Sequence, residues 1–89
     1  MKIIYRNVFE KDIKRAIKRG LKIDKLKEVI RLLSETQLLP IKYRDHALVG
    51  NYKGHRECHI QPDWLLIYKK DETSLILERT GTHADLFKM

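Results

Sequence analysis

Three histidines (His46, His59 and His83), one aspartate (Asp63) and one arginine (Arg79) lie in the C-terminal half of this sequence, in types that suit proton transfer beside a negative charge. The densest stretch is His59-Ile60-Gln61-Pro62-Asp63-Trp64, which sets an imidazole, a carboxylate and the chain's one tryptophan around a Pro-Asp turn. Apolar runs lead in (Cys58-His59-Ile60) and out (Leu65-Leu66-Ile67-Tyr68), so two short antiparallel strands joined at Pro62 are expected. That hairpin brings His59 and Asp63 within reach of a shared hydrogen bond. An aspartate so placed orients an imidazole and favours its protonated form, as acid–base chemistry at neutral pH requires. Taken alone, the stretch also reads as a core histidine and a solvated turn aspartate. The weight for chemistry comes from the rest of the chain.

Strands that follow one another usually pair, so the last three are expected to form a meander. A meander gathers the 59–64 turn, the Arg79 strand and the His83 turn in one region, with His46 bordering it from the preceding loop. Three imidazoles, a carboxylate, a guanidinium and two aromatic rings, Trp64 and Phe87, then share one small surface. RNA backbone cleavage needs such a set: a base for the 2′-hydroxyl, an acid for the leaving oxygen, a cation for the phosphorane and rings to hold bases. Nothing in it calls for a metal or another cofactor. Each residue also has a plainer reading. Arg79 can pair with Glu57 across the sheet, Trp64 can be core, His83 can belong to a helix cap and His46 to an ordinary loop. His55 is read as structural or surface. The His55-x-x-x-His59 spacing suits zinc only on a helix, and this segment alternates like a strand.

The elements that must position these residues follow from the apolar periodicity. Lys2–Arg6 reads as a strand, with Asn7 as the cap of a helix whose face is Phe9, Ile13, Ala16 and Ile17. Gly20 stops that helix, and Asp24 caps the next, striped by Leu26, Val29, Ile30 and Leu33. Pro40 closes the helical region. Residues 41–51 read as a connection with a short extended piece around His46–Val49. Tyr52–Ile60, Trp64–Lys69 and Ser74–Thr80 read as strands, and Thr82 as the cap of a last helical turn. The order β-α-α-β-β-β gives an α+β fold, a helical hairpin on one face of a mostly antiparallel sheet.

Eighty-nine residues suit one domain, 1–89, with a thin core. One cysteine excludes an intrachain disulfide, and Cys58 in its apolar run reads as a buried structural thiol. The N-terminus lacks the apolar region of a signal peptide, and no run is long enough to span a membrane, so a cytoplasmic protein is expected. The net charge of +7 is uneven: residues 1–35 hold 11 Lys/Arg against 5 Asp/Glu, a balance of +6. A basic surface of that kind favours RNA, DNA or an acidic protein, and equally suits a solvated lysine-rich helix face.

The motifs Tyr43-x-Asp45-His46-x-Leu48-x-Gly50, Lys53-Gly54, Arg56, His59-Ile60-x-Pro62-Asp63-Trp64, Glu78-Arg79-Thr80-Gly81-Thr82-His83 and Leu86-Phe87 resemble the YafQ branch of the RelE/ParE toxin superfamily. Residues 1–40 agree with it only in layout. The resemblance implies a ribosome-dependent mRNA endonuclease, the toxin of a type II toxin–antitoxin pair. It implies cleavage through the 2′-hydroxyl without a metal. Catalytic residues carry over to His46, His59, Asp63, Arg79 and His83. Substrate contacts carry over to Trp64, Phe87, Lys53 and Arg56. The implied partners are a small acidic antitoxin, the ribosome and mRNA, with operator DNA bound through the antitoxin. His55 departs from the pattern, and Glu57, on the same strand parity as His59, is a further candidate carboxylate. Two other readings keep the fold and drop this chemistry: a gyrase-binding ParE-like toxin, and a general basic RNA-binding module.

Overall fold

In the computed structural model, which describes residues 1–35 and 38–87, the chain opens with strand β1 (Lys2–Tyr5) and helices α1 (Asn7–Lys18) and α2 (Ile23–Glu35). A connection with 3-10 turns at Ile41–Tyr43 and Gly50–Tyr52 carries the two-residue strand β2 (His46–Ala47). Strands β3 (Arg56–Gln61), β4 (Trp64–Lys70) and β5 (Ser74–Gly81) and the short helix α3 (His83–Phe87) complete it. The sheet order is β1-β5-β4-β3-β2; β1 runs parallel to β5, and every other pair is antiparallel. The α+β fold and the meander of the last three strands are those expected.

The helices form where the stripes indicated, and three local details differ. Asn7 is the first helical residue, preceded by Arg6 in extended backbone, and no side chain caps α1. Asp24 lies inside the first turn of α2, where its charge still favours the helix N-terminus. Ile17 is 57% exposed, because the buried stripe of α1 is centred on Phe9 and Ala16 and its other flank is taken by Asp12. Gly20 does stop α1: it is left-handed (φ 79°), and the Leu21 N–H reaches back to the Ala16 carbonyl at 3.1 Å. The strand expected from Tyr52 starts only at Arg56, since Tyr52 closes a 3-10 turn and Gly54 takes φ 89°.

The sheet has two unlike faces. Under α1 and α2 lies the larger core: Phe9, Leu26, Val29, Cys58, Trp64, Leu66, Tyr68, Leu75 and Leu77 among others. Each large side chain buried there contributes about 1.5–3 kcal/mol by leaving water. On the opposite face Leu65 and Ile67 are covered by Leu86 of α3, with Leu48, Tyr52 and Phe87 packed around them. This second layer is small, so polar side chains rim it instead of more apolar ones. Cross-strand register places Glu57 opposite Ile67, His59 opposite Leu65 and Arg79 opposite Ile67, all on this second face. No helix among the described residues is long and apolar enough to cross a membrane.

Candidate active site

The turn between β3 and β4 pairs Gln61 with Trp64, and the register slips by one residue between His59 and Gln61. The bulge at Ile60 separates His59 from Asp63, so the expected His59–Asp63 bond does not form. Asp63 instead reaches the start of α3. Its Oδ1 accepts the His83 backbone N–H at 3.0 Å and lies 2.6 Å from His83 Nδ1. These contacts, the backbone one foremost, hold the Asp63 carboxyl below the usual range. A proton on Nδ1 directed at the carboxylate leaves Nε2 of His83 as the ring's free nitrogen. The His83 and His59 ring centroids are 5.7 Å apart, edge to face.

His46 and His59 form the other half. Their rings lie 6.3 Å apart, and between them rises Glu57, buried on β3. Its Oε2 is 2.9 Å from His46 Nε2 and 3.7 Å from His59 Nε2. His46 Nδ1 lies 2.8 Å from the carbonyl oxygen of Arg44, a residue in left-handed backbone that turns the chain into β2. Three imidazoles thus stand in a row, with Asp63 on His83 at one end and Glu57 between His46 and His59. The Arg79–Glu57 pair across the sheet does not form: the two flank Ile67 from opposite sides, and Glu57 faces His46 instead.

Arg79 takes its partner from α1. Its Nε donates to Asp12 Oδ2 at 2.7 Å and its Nη2 to Asp12 Oδ1 at 3.2 Å. Asp12 is 4% exposed and also accepts from Arg15 (2.8 Å) and from the Thr80 backbone N–H (3.1 Å). Asp12, chiefly through these hydrogen bonds, and Tyr52 more weakly raise the Arg79 guanidinium above its usual value. Two guanidinium groups on one carboxylate leave a net positive charge, as stabilisation of a phosphate needs. Asp12 escaped the sequence reading, although a charged residue three positions after Phe9 and four before Ala16 falls inside the apolar stripe. Tyr52 escaped it too; its ring meets Phe87 at 5.9 Å and His55 at 6.0 Å.

Two expected substrate contacts lie away from the histidines. Trp64 is 2% exposed, within the helix-side core, and its Nε1 donates to Thr80 Oγ1 at 2.9 Å. Leu65 lies opposite His59, so alternation along β4 sets Trp64 on the other face, where its ring is enclosed by the core. Arg56 also points away from Glu57 and His59 by strand parity, and its guanidinium is held by Asp45 (Nη2–Oδ2 3.1 Å) beside the Tyr68 hydroxyl, which donates to the same carboxylate. Lys53 is exposed just after the Gly50–Tyr52 turn. Phe87 is half-buried, 6.5 Å from the His83 ring.

A short helix such as α3 needs anchoring to hold His83 and Phe87. Thr82 and Asp85 cap each other: the Asp85 N–H donates to Thr82 Oγ1 and the Thr82 N–H to Asp85 Oδ2, both at 3.0 Å. Arg19 of α1 grips Asp85 with two bonds, 2.5 and 3.1 Å, and drives its carboxyl well below the usual range. Cys58 is wholly buried and burial pushes its thiol up, so it is a structural residue as expected. His55 Nε2 faces Glu78 at 3.4 Å. Among the described residues no three His, Cys, Asp or Glu side chains group as a metal site. An open groove of about 590 Å³ runs from His59 past Pro62 to Tyr43, with Lys25, Lys42 and Arg44 on its walls.

A twisted sheet with a helical hairpin on one face, and histidines, carboxylates and a charged arginine on the other, defines a small basic α+β protein with a cluster of acid–base groups. The chain belongs to the family described as bacterial toxin of type II toxin–antitoxin system, YafQ, whose model matches residues 1–88. It is 49% identical over 86 residues to the mRNA interferase toxin YafQ of Escherichia coli (strain K12), covering 96% of this chain and 94% of that protein. The crystal structure of YafQ from E. coli strain BL21(DE3) superimposes with a TM-score of 0.93 at 47% identity, over 97% of both chains. A chain of the E. coli DinJ–YafQ toxin–antitoxin complex does so with a TM-score of 0.90 at 48% identity, over 97% of this chain and 96% of that one.

Proposed function

We propose that this toxin is an mRNA endoribonuclease that blocks translation by cutting messages on the ribosome through its own acid–base groups. The observation that carries the reading is the row of imidazoles with Asp63 on His83 (2.6 Å) and Glu57 on His46 (2.9 Å). An oriented His83 with a free Nε2 beside His59 supplies two groups able to exchange protons with the 2′-hydroxyl and the leaving 5′-oxygen. Arg79, charged and anchored by Asp12, is assigned to the scissile phosphate. Phe87 is assigned to the base beside it. Lys53 and the basic helical hairpin are assigned to ribosomal RNA phosphates, where positive charge speeds encounter. The curated E. coli relative bears the name mRNA interferase, which supports the substrate. A relative in complex with DinJ supports a cognate small acidic antitoxin for this chain, through which the pair would bind operator DNA in the cytoplasm.

End-group analysis of cleaved message tests the chemistry. Attack by the 2′-hydroxyl leaves a 2′,3′-cyclic phosphate, or the 3′-phosphate it opens to, and a 5′-hydroxyl; a 2′-deoxynucleotide before the cut abolishes cleavage. A 5′-phosphate with a 3′-hydroxyl would mean that water attacked, and would overturn the roles given to the histidines.

A further inference from the structure

Strand β2 carries His46, yet it is too short to hold itself in place. It pairs with β3 at two positions only, His46 with Glu57 and Ala47 with Arg56, where a strand usually runs to about five or six residues. The chain enters it through Arg44, the one residue other than glycine among those described with a positive φ, 50°. That left-handed backbone crowds a Cβ and does not persist unless its surroundings hold it. The His46 ring depends on the same turn, because its Nδ1 lies 2.8 Å from the Arg44 carbonyl oxygen.

Asp45 supplies the hold. Alternation sends His46 to the site face and its neighbour Asp45 to the helix side. There Asp45 meets two side chains that are themselves in register across the sheet, Arg56 of β3 and Tyr68 of β4. Arg56 donates to Oδ2 from Nε at 3.2 Å and from Nη2 at 3.1 Å, and the Tyr68 hydroxyl donates to Oδ1. Tyr68 is 2% exposed and belongs to the helix-side core, so its hydroxyl cannot follow Asp45 if the turn moves. Burial foremost, and Asp45 after it, push that hydroxyl's pKa up, which keeps the donated proton in place. A carboxylate met by a guanidinium fork and by a fixed hydroxyl is set in direction as well as in position. Arg56 is 45% exposed, so the ion pair adds little to global stability. Its consequence is local, at residues 44–47.

We propose that Asp45, gripped by Tyr68 and Arg56, is a positioning residue for the cleavage reaction: it latches the Arg44 turn so that His46 stands against Glu57 and beside His59. The inference rests on the nuclease reading for its effect on cleavage, while the latch itself belongs to the free protein. Arg56, which strand parity turns away from the histidines, then serves the site from the opposite face of the sheet.

Two measurements on the full chain test it, on wild type, Asp45→Ala, Asp45→Asn and Tyr68→Phe. The first is amide exchange at Leu48, whose N–H donates to the His55 carbonyl at 2.9 Å just beyond β2. In Asp45→Ala this exchange should quicken by about tenfold or more while the amides of β4 keep their protection. The second is cleavage of ribosome-bound message per folded molecule. In Asp45→Ala kcat should fall by about 10- to 100-fold with KM nearly unchanged, as displacement of one reacting group requires. Tyr68→Phe, which keeps the ring and removes only the hydroxyl, should show smaller changes of the same kind. Asp45→Asn, whose amide oxygen can still accept from one of the two donors, should retain part of both. An Asp45→Ala protein with wild-type kcat, with its loss in KM instead, or with lost activity but wild-type exchange at Leu48, overturns the proposal. Intact message with wild-type protein, while Leu48 exchange follows the expectation, would instead defeat the nuclease reading.

Discussion

Asp63 and His83 are joined across 20 positions of sequence by one carboxylate oxygen that takes both the backbone N–H and the ring nitrogen of His83. One contact starts helix α3 and the other aims its histidine. The turn between β3 and β4 therefore controls a residue on a different element, and the position of α3 becomes part of the chemistry.

Asp63→Asn should remove activity and spare the fold. The carboxyl is held below its ordinary range, so its contacts are complete above the unfolded value of about 3.9 and are lost only as pH falls through the lower folded value. Cleavage should consequently show no Asp63 titration from about pH 5 upward, and the variant should be slower by about 10²-fold or more throughout that range. Rates measured across pH, with a melting curve for each protein, check this; activity lost only in step with helical signal would take Asp63 out of the site.

Asp12→Asn should act on stability and activity together. It strips the buried partner from Arg79 and Arg15, at a cost of about 2–3 kcal/mol given that both guanidiniums keep some solvent. Urea unfolding measures the first effect. Cleavage per folded molecule measures the second, which should also fall because Arg79 loses its anchor.

Trp64→Phe should leave cleavage per folded molecule unchanged. It removes the donor to Thr80 inside the helix-side core, which costs about 1–2 kcal/mol. A selective loss of kcat at full stability would restore Trp64 to the substrate site. Phe87→Leu should do the opposite, weakening cleavage by about 1–3 kcal/mol through lost base stacking while ribosome pelleting persists.

Gly81→Ala should displace α3. A Cβ there would lie 2.9 Å from Asp85 Oδ2 and 3.0 Å from its Cβ, and the backbone, at φ 159°, is one that side-chain-bearing residues rarely adopt. The strain alone is worth about 1–3 kcal/mol. Amide exchange across residues 82–87 should rise more than exchange in β4, and cleavage should fall with it. Equal protection in both segments would show that α3 is held independently of the Gly81–Asp85 contact.

The sequence by itself determined the element order, the meander and the buried Cys58, and it singled out His46, His59, Asp63, Arg79 and His83 as candidates. Those follow from periodicity and from motif spacing, which are local properties. Tertiary structure decided who pairs with whom. Asp63 pairs with His83, 20 positions away, and Trp64, next to Leu65 of the site face, alternates into the helix-side core. Arg79 found Asp12, 67 positions away, because β1 runs parallel to β5 and lays α1 against that strand. Glu57 became the partner of His46 because the two-residue strand β2 sets it directly opposite, a register that residues 41–51 do not spell out. Long-range pairing depends on how the sheet closes, and that is settled by packing the two faces together.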